Sequence, residues 1–483
     1  MTNKFEIRAE WFLPTDKSRR VYGTLSFDPQ EETYLKLYGS LSGDDFSLKF
    51  KDHEIILGLT SDSKLITLND CHMIKSGGAL LVQGGESGKP STTYMVRYLL
   101  IGVHCNSVND LKFNRISSEI FNLDEWIGIS GFMHENYDDK KINNNVVTVE
   151  YILPEPIDFD IDAYTKGRFN FSANYPELSH YQKTVTIKQK VEFQASTISE
   201  KGIDDLLKYV IAFQNFLTFA LYRSTYPCSI SLSGDRHKDD YEDGKIYHKN
   251  IELYFSSSNV KVNEKPKLNF EMIYDYTGIK SEFPTIIKNW YAKYKSLEPA
   301  FDLVLQQFYN RNMFTVNSFL NLAQSAETFH ATIHDHTKLS GEDYKKMREE
   351  ILAVAHPNYH PWLNDQFDFG NKLNLHSRLK ELTVIYSNQI LDSILGDIEQ
   401  FIKNVKDSRN YYTHYSKKDE KKALKGKQLY NLSERLQLLL VCSFLIEVGI
   451  NKTNLSACLE KIKWIHFNHL VNWRVDKEEK DSL

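Results

Sequence analysis

The hydrophobic period of this chain changes once, and that change constrains the fold more than any other feature. From the start to about residue 196, short runs alternate between apolar and polar side chains. Phe5-Glu6-Ile7-Arg8-Ala9 and the runs at 20–27 and 33–37 are separated by Pro, Asp and Gly. Similar runs recur at 47–50, 54–59, 94–103, 146–153, 168–172 and 184–193. A two-residue period with frequent turn signals marks half-buried strands. Many such strands predict a β-sandwich or a half-open barrel. After about Asp275 the period lengthens to that of helices, at 283–309, 315–337, 341–355, 371–387, 390–412 and 428–449. This part predicts an all-α bundle. Between the two, Ser199 is expected to cap a buried helix running to about Tyr222, with strands at 228–232 and 250–255 following. The fold class expected is therefore α+β and multidomain. Its parts are a β-rich domain at 1–198, an α/β extension at 199–275 and a helical domain at 276–483.

Composition narrows the function classes. The net charge of −5 gives no overall attraction to nucleic acid, so any such site must be locally basic. Cys71, Cys105, Cys228, Cys442 and Cys458 are scattered and form no CxxC. That pattern favours reduced thiols in a cytoplasmic setting over a disulfide or zinc-ribbon scaffold. The first residues carry no apolar signal core. The most apolar runs, 210–222 and 436–446, are interrupted by Gln214, Asn215, Gln437 and Ser443. They read as buried helices, so no membrane association is expected. The Gly-rich stretch 76–89 lacks the spacing of a phosphate loop and is expected to form a flexible hairpin. The charged segment 235–244 is expected at a solvated tip.

The chemistry concentrates in Ser408-Arg409-Asn410-Tyr411-Tyr412-Thr413-His414. Leu391, Ile394, Leu395, Ile398, Ile402 and Val405 form one apolar helical stripe, and the next place on it is Arg409. A guanidinium there needs a carboxylate, a carbonyl or a phosphate. His414 lies five residues on, about 140° round an ideal helix. Either the helix ends near Asn410 and the chain turns His414 back, or the two do not act together. A plain alternative is a cation in the last helical turn, stabilised by the helix dipole. From Lys417 to Lys427, Lys417, Lys418, Lys421, Lys422, Lys425 and Lys427 face only Asp419 and Glu420, a local balance of +4.

An earlier helix repeats the anomaly. Val316, Phe319, Leu320 and Ala323 make its stripe, and the next place is Glu327. The economical expectation is that Glu327 and Arg409 meet within the bundle, as a structural or a functional pair. The same helix carries His330 and His334, at metal-ligand spacing, and His336 lies just beyond. No HExxH and no paired Glu-x-x-His accompany them, so neither a metal nor another cofactor is expected.

Arg409 and His414 suit metal-free cleavage of RNA. Histidine can take the proton of a ribose 2′-hydroxyl near neutral pH. Arginine can stabilise charge developing on the phosphorane. Asn410 can hold the phosphate or the imidazole. Tyr411 and Tyr412 offer faces for bases, and Lys417 and Lys418 offer attraction to the backbone.

Arg409-Asn410-x-x-x-His414 after a bundle helix, with Glu327 on an earlier one, resembles the HEPN ribonuclease family. The order of parts is similar to the ApeA group of bacterial anti-phage proteins. In that group a β-rich domain, here opening with Glu10-Trp11-Phe12-Leu13-Pro14 and Gly23-Thr24-Leu25, precedes a C-terminal HEPN bundle. The resemblance implies catalytic roles for Arg409, Asn410 and His414. It also implies a metal-independent endoribonuclease acting as a homodimer through its helical domain, in abortive-infection defence. The N-terminal domain would then be a sensor or regulator answering a phage-derived trigger. The alternatives are a HEPN module that binds RNA or nucleotides without cutting, and a β-rich carbohydrate or peptide binder with the bundle as a dimerisation device.

Overall fold

The computed structural model describes residues 3–41, 50–77, 91–133, 149–176, 181, 183–240, 246–256, 264–310, 312–334 and 336–471. The strand expected at 47–50 falls outside them except for Phe50, and the Gly-rich hairpin lies outside from 78 onward. The chain divides into two compact units. One comprises 1–269 with 275–277, and the other 270–274 with 278–483.

The first unit is built on a twelve-stranded antiparallel sheet. Its first six strands are β1 (Phe5–Leu13), β2 (Asp16–Phe27), β3 (Thr33–Leu37), β4 (His53–Thr60), β5 (Leu65–Gly77) and β6 (Ser91–Ile101). They run in the order β3-β2-β1-β4-β5-β6, and β3 pairs again with β6, so the barrel closes. Closure removes the unpaired edges that an open sheet would expose. Alternate residues point inward, and Trp11, Leu25, Leu35, Ile56, Ile66, Leu68, Tyr94 and Leu99 fill the interior.

The sheet continues as an open half. It contains β7 (Lys112–Ile120), β8 (Ile157–Asp162), β9 (Thr165–Asn174), β10 (Lys188–Gly202), β11 (Pro227–Ser233) and β14 (Ile251–Tyr254), in the order β14-β11-β7-β10-β9-β8. A separate small hairpin, β12 (Lys238–Asp240) with β13 (Ile246–His248), occupies part of the charged segment expected to be a solvated tip. There His237 is buried, its Nε2 2.9 Å from the carbonyl of Asp110.

Helices α1 (Leu123–Ile127) and α2 (Ile203–Leu221) belong to this open half. Phe213 of α2 stacks on Phe193 of β10 with ring centroids 4.4 Å apart. The expected cap at Ser199 gives way to a longer strand. A register shift between Ser196 and Lys201 lets β10 continue to Gly202, which becomes the residue before the helix. The run at 146–153 supplies, among the described residues, an isolated bridge from Tyr151 to Phe132 rather than a strand.

The second unit is helical, as the period requires. Helix α3 (Tyr276–Ile279) lies at the boundary, followed by α4 (Phe283–Tyr309), α5 (Thr315–Ile333), α6 (Gly341–Val354), α7 (His360–Gly370) and α8 (Leu375–Ile385). Then come α9 (Gln389–Leu395), α10 (Ile398–His414), α11 (Gly426–Glu447), α12 (Lys452–Ile462) and α13 (Asn468–Val471). The single helix expected at 390–412 is two. Gly396 sits at φ +82°, a conformation open to glycine, and the Asp397 carboxylate caps the next helix at the amide of Gln400. Helix α11 is long and apolar enough to cross a membrane by composition, but 83% of its most apolar window is buried inside the fold.

Trp11 shows how tightly the barrel is specified. It is fully buried, donates from Nε1 to the carbonyl of Gly23 at 3.2 Å, and pairs across β4 with Gly58. A Cβ on Gly58 would lie 2.5 Å from the indole ring. Overpacking of this kind destabilises by about 1–3 kcal/mol. Gly58→Ala is therefore expected to lower the stability of the barrel by that amount, read as an earlier denaturant midpoint by tryptophan fluorescence. An unchanged midpoint would show that Trp11 can move aside.

Candidate functional site

Helix α5 presents Phe319, Leu322, Ala323, Ala326, Phe329 and His330 to the core. Glu327 lies at the edge of that buried face. On α10, Phe401, Ile402, Val405 and Ser408 are buried, and Arg409 again lies at the edge. The two edges meet, and Arg409 Nη2 donates to Glu327 Oε2 at 3.3 Å. Both side chains remain about one-third open to water, at 31% and 30%. The pair is thus half-buried rather than enclosed.

Helix α10 does not stop at Asn410. It continues through His414 and ends where Tyr415 takes a left-handed conformation at φ +49°, its N–H bonded back to Tyr411. Arg409 and His414 therefore stand on one unbroken helix, about 140° apart in azimuth. His414 is exposed in the last turn. Among the described residues no hydrogen bond or ion pair engages its ring or the side chain of Asn410.

The lysine-rich turn folds back onto this helix end. Leu424 N donates to Ser408 Oγ at 3.1 Å, and Tyr412 donates its hydroxyl to the carbonyl of Leu424 at 2.9 Å. The edge of Tyr412 also faces Phe319 of α5, with ring centroids 6.4 Å apart. Tyr412 is thus held by the bundle. Tyr415, which the sequence pattern does not single out, shows the more open ring, 64% exposed and 5.4 Å from Tyr411. Lys425 sits over Tyr411 at 5.6 Å and pairs with Glu420 at 3.0 Å. Lys417 and Lys418 are exposed.

A second polar group begins one turn further along α5. His330 is completely buried, with Nε2 2.8 Å from Glu381 Oε2 on α8. His336, just past the helix, brings Nδ1 to the same oxygen at 2.7 Å. Among the described residues, His330, His336 and Glu381 form a group whose donor atoms could hold a metal, since these atoms lie within 4.8 Å of one another. Burial pushes the pKa of His330 down, and the nearby Arg378 adds to this against the pull of Glu381. For Glu381, burial alone would raise the pKa, but hydrogen bonds from His336 and His330 outweigh it and hold the carboxyl below its usual range. Arg378 Nη1 reaches His330 Nδ1 at 3.3 Å and the carbonyl of Glu327 at 3.2 Å. His334 lies apart from the donor group, with Nε2 3.2 Å from the Tyr386 hydroxyl. The i, i+4 histidine spacing thus pairs the wrong residues. Glu381 comes from a helix 51 residues away from His330, and nothing in its local sequence marks it.

Comparison with known families decides the relationship. The family model for ApeA N-terminal domain 1 matches residues 6–290, and the one for Apea-like HEPN matches residues 320–454. The chain belongs to the ApeA family. It is accordingly a defence-associated HEPN effector, and HEPN domains are in general ribonucleases. The HEPN match spans α5 to α11 and so includes Glu327, Arg409 and His414. No curated protein and no solved structure matches the chain.

Because both members of the Glu327–Arg409 pair are reached by water, the pair should contribute little to stability, about 0–1 kcal/mol. Glu327→Gln is expected to shift the denaturant midpoint of the helical unit only slightly. A loss above about 2 kcal/mol would instead mark a pair that is desolvated in solution.

Proposed function

We propose that this ApeA-family chain is a metal-independent endoribonuclease of anti-phage abortive infection, with Arg409 and His414 as its catalytic residues. The observation that carries the reading is the Glu327–Arg409 pair. The carboxylate takes one of the five guanidinium N–H donors and fixes the side chain's direction, while partial exposure leaves other donors accessible to a phosphate. His414, exposed five residues on, is the base for the ribose 2′-hydroxyl, whose oxygen then attacks the adjacent phosphorus and expels the 5′-oxygen of the next nucleotide. Asn410 holds the phosphate. Tyr411, Tyr412 and the exposed Lys417 and Lys418 serve RNA binding. The β-rich unit acts as sensor or regulator for a phage-derived trigger, and the protein works in the cytoplasm.

In this reading Arg409→Ala and His414→Ala each reduce cleavage about 10²-fold or more, in buffer containing EDTA, with unchanged helical circular dichroism. Purified chain and total RNA suffice for the measurement. RNA binding without cleavage by the wild type would point to a binding module instead, and wild-type rates for His414→Ala would end the mechanism.

The unbroken α10 supports a composite site. One chain directs Arg409 and His414 to different faces, whereas a two-fold axis beside α10 would set the arginine of one copy near the histidine of the other. Two imidazoles would also supply both the base and the acid that in-line cleavage uses. Excess His414→Ala chain mixed with wild type is then expected to lower activity per wild-type chain as mixed dimers form. Constant activity per wild-type chain, or active monomers by mass measurement, would sink the composite site.

A further inference from the structure

We propose that His330, His336 and Glu381 form a zinc site that clips the end of α5 and the segment after it to α8. This goes beyond the nuclease reading and stands without it. Two imidazole nitrogens from the end of α5 and the segment just after it converge on a carboxylate oxygen from α8. Nε2 of His330 and Nδ1 of His336 both lie against Glu381 Oε2, at 2.8 and 2.7 Å. These are donors of the type zinc prefers, and all three lie within 4.8 Å of one another.

Ligand atoms around a tetrahedral zinc are about 3.3 Å apart, given bond lengths near 2.0 Å. The nitrogens must therefore back away from the oxygen by only about half an ångström. The ring centroids of the two ligand imidazoles, His330 and His336, are 6.1 Å apart. Three protein ligands leave a fourth position for water or, after rotation, for His334.

The protonation is consistent. An arginine only donates, so the approach of Arg378 Nη1 makes Nδ1 of His330 an acceptor and places the proton on Nε2, facing Glu381. Zinc takes the Nε2 lone pair, the proton moves to Nδ1, and the bond from Arg378 Nη1 to Nδ1 is given up. Arg378 then keeps its bonds to the carbonyls of Leu373 and Glu327. The buried wall at His330 and the open one at His336, 55% exposed, give the site an anchored ligand and an entry path.

The test uses the full chain, freed of metal by chelation and dialysis, and titrated with zinc by calorimetry and with cobalt as a spectroscopic probe. The expected result is one ion per chain, a raised thermal transition and the intense visible bands of four-coordinate cobalt. His336→Ala and Glu381→Gln, both at partly exposed positions, are each expected to weaken zinc at least about tenfold, the lower range even for loss of an outer partner. His72→Ala, in the other unit, should leave binding unchanged. No saturable zinc binding, zinc binding unchanged by either substitution, or the weak spectrum of six-coordinate cobalt would overturn the proposal. The cobalt reading needs no variant, so it decides the matter even if one fails to fold.

Discussion

The helical unit depends on the burial of α5. This helix packs against α4, α8, α10 and α11, and Phe319, Leu322, Ala323, Ala326 and Phe329 are all fully enclosed. Small side chains at Ala323, Ser325 and Ala326 let the neighbours approach closely, and Ser325 turns its hydroxyl to the carbonyl of Ala300 at 2.8 Å. A helix enclosed in this way has little freedom to rotate, because turning it would bury polar groups and open voids. Its polar residues are therefore held in place. Glu327 is set toward α10 and His330 toward α8.

From that one helix two kinds of polar site arise, and their physics differs. The Glu327–Arg409 pair sits at the edge, where water screens it, so its value lies in direction rather than in stability. A guanidinium aimed but not enclosed is what anion recognition requires. The His330–Glu381–His336 group begins in the core and opens outward. There burial disfavours the charged form of the His330 imidazole, and hydrogen bonds from two imidazoles favour the ionised form of the carboxylate. Arg378 touches both, through the carbonyl of Glu327 and Nδ1 of His330.

The sequence by itself determined the division of the chain. A period of two followed by a period of 3.6 leaves a β-rich part and a helical bundle as the economical outcome, because each pattern can bury its apolar face in only one kind of element. It also determined that Glu327 and Arg409 would seek partners, since each interrupts an apolar stripe, and the fold joins them. The break at Gly396 was local information too, but it is written in a backbone conformation that a helical period can run straight through.

Only the tertiary structure decided the rest, because it depends on contacts between residues far apart in sequence. Closure of the barrel rests on β3 pairing with β6, a choice of partner that alternation along either strand leaves open. The grouping of His330 with His336 and Glu381, rather than with His334, was decided by α8 arriving beside α5. The placement of Tyr412 came from the lysine-rich turn folding back to offer it the carbonyl of Leu424. The divergence of Arg409 and His414 came from α10 running on to Tyr415. Spacing alone fixes the angle between two residues on a helix, while packing and capping decide how long the helix lasts.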